Sequence, residues 1–365
     1  MRNKITKRWE TKPVKVGQYQ LGGSHKIFLQ SMTTAKTKKI KTCLAQINSL
    51  VNEGADFVRV AVFDDADAKA IRQVVLQVPC PIIADIHFNP DYAIASIKAG
   101  VAKIRLNPGN INNQKKLQEI VNLANQKNIP IRVGVNSGSL PFDLMTKFGV
   151  TAKAMNLAAR RYCKMMNNLG FNNIVISLKT STPMLSIEVY EMGARIFQYP
   201  MHLGITEAGT VLNGAIKSVA GLTPLLLKGI GDTIRISLAS DPVEEIKVAK
   251  RLLNSLRLYD NLVDVVACPT CGRLNLDMLP IVDEIEEYVK NMAFPLRVSI
   301  LGCTVNGPGE AKEADIGIAG GAGKGILFRK GVAVKSVPEK DLVSELKKMI
   351  DEEYEKYLNK LNNQK

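Results

Sequence analysis

Two sets of residues in this 365-residue chain are equipped for chemistry. The first is sulfur. CPTCGR (268–273) carries Cys268 and Cys271, and LGCTVNGPGEA (301–311) adds Cys303. A Cys-x-x-Cys turn after a strand directs two sulfurs at one metal, as in zinc ribbons, and also occurs in thioredoxin-like redox pairs. A ribbon needs a second pair, which the chain lacks. A thioredoxin motif would open a helix early in a βαβ unit, and this one sits late. Three thiolates favour zinc or an iron–sulfur cluster and leave the site one ligand short. His25, His87 and His202 all lie upstream, so the nearest unusual donor is Glu310. It sits on a Gly-Pro-Gly loop where Gly307 and Gly309 let the backbone turn sharply and bring amides near the sulfurs. A carboxylate is a hard ligand on soft iron. It gives up its place more readily than a thiolate, as substrate chemistry at a cluster requires.

The second set is cationic. Arg59, Arg105, Arg132, Lys179 and Arg235 each lie in or at the end of a short apolar run. Strand side chains alternate faces, so Arg105 shares a face with Asn107, Arg132 with Gly134 and Asn136, Arg235 with Ser237, and Asp85 with His87. If those faces point into a barrel, the cations converge at its C-terminal mouth, where barrel enzymes keep their sites. Cations in one cavity repel unless an anion joins them. A diphosphate suits them, because the guanidinium fork pairs bidentately with phosphate oxygens. Any one of these arginines could equally be paired with an acid; the set of five points to an anion. Glu207, in ITEAG just past the seventh run, is placed for acid–base work or, equally, as a glutamate favoured by the next helix N-terminus. GGAGKG (320–325) fits neither P-loop nor dinucleotide spacing and reads as a hairpin turn.

The elements that must hold these groups follow from the hydrophobic pattern. Eight short runs recur: 27–31, 57–62, 81–87, 103–107, 130–136, 173–179, 199–206 and 233–238. Helix-like stretches such as 42–55 and 241–256 lie between them, the second opened by Asp241 and Pro242 as cap and first helical residue. Repeated strand–helix units of this kind predict a (β/α)8 TIM-type barrel, and the GxGxxG signature of a doubly wound sheet is absent. From about residue 260 the pattern changes. Strands are expected at 262–267, 295–302 and 314–321, helices at 276–292 and from Pro338 to the end, giving a smaller α+β domain. The expected division is 1–258 and 259–365.

Composition narrows the partners. The chain is 46% hydrophobic, which excludes general disorder, and its formal charge is +15. Residues 1–50 alone hold eleven Lys/Arg against Glu10. A basic surface favours acidic partners or polyanions. Aromatics are only 5%, so base-stacking surfaces are scarce and nucleic-acid binding is not expected. No membrane span, signal peptide or transit peptide is legible, which predicts a cytoplasmic protein.

VRVAV, ADIHF, IRLNPGNI, IPIRVGVNSGSL, HLGITEAG, GIGDTIRISLASDPVEEI, ACPTCGR and GCTVNGPGEA together resemble the 4-hydroxy-3-methylbut-2-en-1-yl diphosphate synthase family of the non-mevalonate isoprenoid pathway, in its two-domain bacterial form. The resemblance implies an iron–sulfur oxidoreductase. Its barrel binds 2-C-methyl-D-erythritol 2,4-cyclodiphosphate, and its C-terminal domain is similar to the cluster domains of sulfite and nitrite reductases. It also implies one 4Fe–4S cluster on Cys268, Cys271, Cys303 and Glu310. Arg59, His87, Arg105, Arg132, Asn136, Lys179, Arg235 and Ser237 would line the substrate site, with Glu207 as the acid–base group. Reduced flavodoxin or ferredoxin would deliver electrons to a homodimer. One departure is visible: TTAKTKKIKT (33–42) has Lys39 and Lys41 where acids are common in the family. The competing reading from the residues is a phosphosugar lyase or aldolase with a structural zinc domain and Lys179 as a Schiff-base lysine.

Overall fold

A computed structural model describes residues 7–23, 26–111, 113–303, 311–321 and 323–363. The chain divides into two compact units, Met1–Leu258 and Tyr259–Lys365.

The first unit begins with a small antiparallel hairpin, β1 (Val14–Val16) and β2 (Tyr19–Leu21). Among the described residues, eight parallel strands then alternate with helices: β3 (Phe28–Met32), β4 (Phe57–Ala61), β5 (Ile82–Asp85), β6 (Lys103–Leu106), β7 (Ile131–Asn136), β8 (Ile174–Lys179), β9 (His202–Leu203) and β10 (Thr233–Ile234). The sheet order runs from β8 down to β3, then β10 and β9. A parallel bridge between Ile176 and Met201 closes the ring. The outer layer is α1 (Ile40–Glu53), α2 (Asp65–Leu76), α3 (Pro90–Ala99), α4 (Gln114–Gln126), α5 (Phe142–Phe148), α6 (Ala152–Asn168), α7 (Pro183–Ile196), α8 (Val211–Leu227) and α9 (Pro242–Ser255). This is the expected (β/α)8 barrel.

Local chemistry sets the helix starts. Asp64 accepts from the Asp67 amide ahead of α2, and Asp241 from the Val243 amide ahead of α9, where Pro242 fills the first helical position. α1 is the exception. Its cap residue is Lys39, which makes no side-chain cap bond, and its first turn holds no acid.

The barrel interior is graded. At the N-terminal end, Val14, Val16 and Leu21 of the hairpin pack on Phe28, Phe57, Ile83 and Val175 from the starts of four strands. Tyr19 stacks on Phe28 and Phe57 with ring centroids 5.1 and 5.4 Å apart. This apolar stopper closes the floor. Gly17, at φ +59°, makes it possible, because a Cβ there would lie 2.9 Å from Pro81 Cγ.

The second unit is a five-stranded sheet among the described residues. Its members are β11 (Val263–Ala267), β12 (Leu296–Leu301), β13 (Ile316–Gly321), β14 (Lys324–Arg329) and β15 (Val332–Pro338), in that order. β11 to β13 are parallel and the rest antiparallel. Ile281 and Ile285 of α10 (Met278–Val289) and Leu342, Leu346 and Ile350 of α11 (Leu342–Asn362) share one core with the sheet. The glycine-rich stretch does turn a hairpin, between β13 and β14. β14 and β15 are additions to the expected three strands. Among the described residues no helix is long and apolar enough to cross a membrane.

Candidate active site and cluster ligands

Strand alternation carries five of the anticipated residues into the upper barrel. Arg105 and Arg132 are register partners on β6 and β7, as are Asn136 and Lys179 on β7 and β8. Arg132, Lys179 and Arg105 are buried, while Arg59 and Arg235 are nearly so. A Cβ on Gly134 would meet Arg105 Nε at 3.1 Å, and one on Gly204 would meet Lys179 Nζ at 2.8 Å. Glycine at these two inward positions therefore makes room for the long cations.

Two carboxylates answer them. Asp85 lies 3.3 Å from Arg105 Nη1, 3.8 Å from Arg59 Nε and 3.4 Å from His87 Nε2. Burial opposes its ionisation, but Arg59, His87 and Arg105 outweigh that and hold the carboxyl well below the usual carboxylate range. Glu245, in the first turn of α9, grips Arg235 with both oxygens, each at 3.1 Å. It also accepts from Ser31 Oγ at 2.7 Å and from the Leu238 amide at 3.2 Å.

A sixth cation is buried with the five that alternation predicted. Lys103 opens β6 two residues before Arg105 and is fully buried; among the described residues its Nζ has no hydrogen-bond partner. Among the described residues, six buried or nearly buried cations therefore stand against two buried carboxylates, Asp85 and Glu245. Burial, then Arg59 and Arg105, bear down on Arg132 far below its ordinary value; burial, then Arg235 and Arg59, do the same to Lys179. A guanidinium keeps its proton in a protein, so for Arg132 the load remains as repulsion that an entering anion relieves. His202 donates or accepts at Nδ1 with Thr233 Oγ1 at 2.7 Å, and its buried Nε2 has no partner among the described residues. Burial, then Arg132 and Lys179, push it toward the neutral imidazole.

At the rim, His87 is exposed, with Arg105 Nη1 close to both ring nitrogens at 3.1 and 3.2 Å. Asn136, the last residue of β7, and Ser237, three residues past the end of β10, are both half-buried. Glu207 is exposed and stands at φ +53°, before α8 begins at Val211. It is thus a loop residue rather than a member of the helix, held in the left-handed region that disfavours side chains.

In the second unit, Cys268 follows β11 and Cys303 follows β12, at the same end of two adjacent parallel strands. Cys268 Sγ accepts from the Gly302 amide at 3.3 Å. Cys303 is buried and Cys271 exposed. The Arg273 amide and side chain lower the Cys271 thiol below its ordinary value. Amide donation to sulfur and a lowered thiol both favour thiolate, which is what a soft metal or cluster needs. The three cysteines fit such a group by donor type. Among the described residues no three candidate ligands are gathered as a closed metal set. Glu310 lies outside the described residues.

Sequence reasoning missed Lys103 and Glu245. The first shares the alternation of Arg105 and was readable from it. The second sits ten residues past Arg235, in a run that looks like ordinary acid at a helix start.

The chain is similar to known proteins along nearly its whole length. Residues 11–250 match the family described as GcpE TIM-barrel domain, and residues 264–352 match GcpE protein C-terminal domain. A protein of Mycoplasmoides gallisepticum is 70% identical over 97% of this chain and 98% of its own length. One of Malacoplasma penetrans is 61% identical over the same shares. One of Bacillus cytotoxicus is 49% identical over 96% of this chain and 95% of its own length. All three are named 4-hydroxy-3-methylbut-2-en-1-yl diphosphate synthase (flavodoxin). Among solved structures, dihydropteroate synthase of Yersinia pestis aligns with a TM-score of 0.48 at 15% identity, over 67% of this chain and 98% of that one.

Proposed function

This chain belongs to the 4-hydroxy-3-methylbut-2-en-1-yl diphosphate synthase family, and from that premise we propose how its residues serve the reaction. The substrate is 2-C-methyl-D-erythritol 2,4-cyclodiphosphate. Two electrons and protons open its ring and release water, leaving (E)-4-hydroxy-3-methylbut-2-enyl diphosphate. The aldolase reading is not favoured, because relatives at up to 70% identity are named as the diphosphate synthase.

The observation that carries the proposal is the charge imbalance in the barrel, where both carboxylates are engaged and the cations outnumber them. Arg59, Arg105, Arg132, Lys179 and Arg235 hold the diphosphate, and Asn136, Ser237 and His87 complete its rim. Glu207 moves the proton that lets oxygen leave as water; its exposed position at the mouth leaves the carboxylate free to meet substrate. Cys268, Cys271, Cys303 and Glu310 hold the 4Fe–4S cluster. When bound, that cluster supplies the two electrons.

Flavodoxin is the electron donor, by the names of the relatives. Lys36, Lys39 and Lys41 are exposed past the C-terminal end of β3, the end where the mouth lies, and give an acidic donor a surface. A homodimer is supported by α8, where Leu212, Ile216, Val219 and Leu227 form an exposed apolar stripe at helical spacing. The enzyme works in the cytoplasm.

Anaerobic iron and sulfide analysis, followed by assay with the cyclic diphosphate, tests the reading. A brown protein with about four irons and reductive turnover is expected. A colourless protein that holds one zinc even after iron–sulfur reconstitution would overturn it.

A further inference from the structure

Lys103 is more deeply placed than any other cation of the site and has no role in the mechanism above. Its Nζ sits 5.3 Å from the Phe57 ring centroid, above the apolar stopper. No polar atom of the described residues bonds it. The groups that face this space are Arg59 from β4, Asp85 from β5, Arg105 from its own strand, Arg132 from β7, Lys179 from β8, His202 from β9, Arg235 from β10 and Glu245 from α9. Asp85 is committed to Arg59, Arg105 and His87, and Glu245 to Arg235. Among the described residues no carboxylate remains for Lys103. Three further buried polar groups nearby also have unpartnered atoms: Gln30 with both amide atoms, Arg132 with Nε and Nη1, and His202 with Nε2.

An amine surrounded by cations and sealed from water has one inexpensive solution, which is to give up its proton. Arginine does not have this option, and lysine does. We propose that Lys103 is the proton-accepting floor of the anion site, neutral in the empty barrel and charged when a diphosphate occupies the mouth. The proton comes from solvent: –NH2 becomes –NH3+ as the anion enters, and the reverse occurs as it leaves. The inference rests on reading the mouth as a diphosphate site. Burial first, then Arg132 and Arg59, lower the Lys103 amine well below its ordinary 10.5, in agreement with that geometry. The device lets the empty barrel carry one charge fewer and still present it to the ligand. A group that gains a proton on binding strengthens binding at low pH. That gain is lost as pH rises through the value of the bound state.

Titration calorimetry of the cluster-loaded full chain with inorganic pyrophosphate tests the proposal. Runs at one pH in buffers of different ionisation enthalpy give the protons taken up per pyrophosphate bound. The parent is expected to take up about one proton more than Lys103→Met or the permanently charged Lys103→Arg. Between pH 7 and 9 the parent's affinity should fall more steeply than that of either variant, by up to about tenfold per pH unit. Equal proton uptake by the parent and either variant that binds would overturn the inference alone. Failure of the parent to bind pyrophosphate at all would overturn the diphosphate site and the inference with it.

Discussion

Glu245→Gln removes one charge from the barrel while keeping the side chain's shape. The carboxylate is buried and accepts from Arg235 Nε and Nη2, both at 3.1 Å, from Ser31 Oγ at 2.7 Å and from the Leu238 amide at 3.2 Å. An amide can offer one oxygen to these donors, and its NH2 then faces the guanidinium. Removing one partner of a buried pair costs about 3–5 kcal/mol, because the other charge is stranded. For a unit of this size each kcal/mol moves Tm by roughly 2–4 °C, so the barrel transition should fall by roughly 6–20 °C. An anion can then serve Arg235 in place of the lost carboxylate. Ordinary linkage stabilises any binding protein by about 2.7 kcal/mol at a hundred times Kd, and at equal pyrophosphate concentration the variant, which binds the anion more tightly, should gain more than the parent. Scanning calorimetry of the full chain with and without pyrophosphate reads both quantities. A fall under about 2 °C, or equal pyrophosphate shifts in parent and variant, would refute the claim that Glu245 neutralises Arg235.

Three further outcomes follow from the same geometry. Glu207→Gly relieves a left-handed side-chain residue, so thermal unfolding should show stability unchanged or raised by up to about 1 kcal/mol, while turnover falls at least about 100-fold; retained turnover would remove Glu207 from the chemistry. Lys39→Asp supplies the missing cap and favourable charge at α1 and should raise stability by about 1 kcal/mol in denaturant titration; a loss would show that the cap position is not limiting. Burial pushes the Cys43 and Cys80 thiols up to about 11 and Cys163 to about 12, whereas exposed Cys271 is lowered. In the cluster-free chain, iodoacetamide at pH 8 should therefore label Cys271 first, and the other three should react only as pH climbs toward their raised values; peptide mass mapping reads the order.

The barrel was legible because each strand lies in a short β-branched or apolar run ending in a polar group, and such a run with a following helix has few other folds open to it. The cations were legible because period-two alternation puts Arg105 with Asn107, Arg132 with Asn136 and Arg235 with Ser237 on one face of each run, and a closed barrel turns one face of every strand inward. What alternation lacks is depth. It puts Lys103 on the same face as Arg105 but cannot show that Arg105 lies in the upper barrel and Lys103 deeper, above the stopper. The Glu245 carboxylate reaches Arg235 only through the packing of α9 on β3, a tertiary fact absent from DPVEEI. β1 and β2 have three residues each, too few to show a period, and β14 is held by pairing with β13, and β15 by pairing with β14, more than by their own pattern. The cysteines announced a metal by type and spacing, while the residue chosen to complete the set, Glu310, lies outside the described residues.

The β1–β2 stopper has a consequence for traffic. With Val14, Val16 and Leu21 seated on the strand starts, the barrel is, among the described residues, a well closed at its floor. Substrate and product share one threshold, so a lingering product blocks its successor instead of being pushed out from behind. On the proposed diphosphate reading, clearance then comes from loosening the cations' grip on the anion at the mouth. The same stopper keeps bulk water from rinsing through, so each exchange of anion for solvent is a swap made at the doorway.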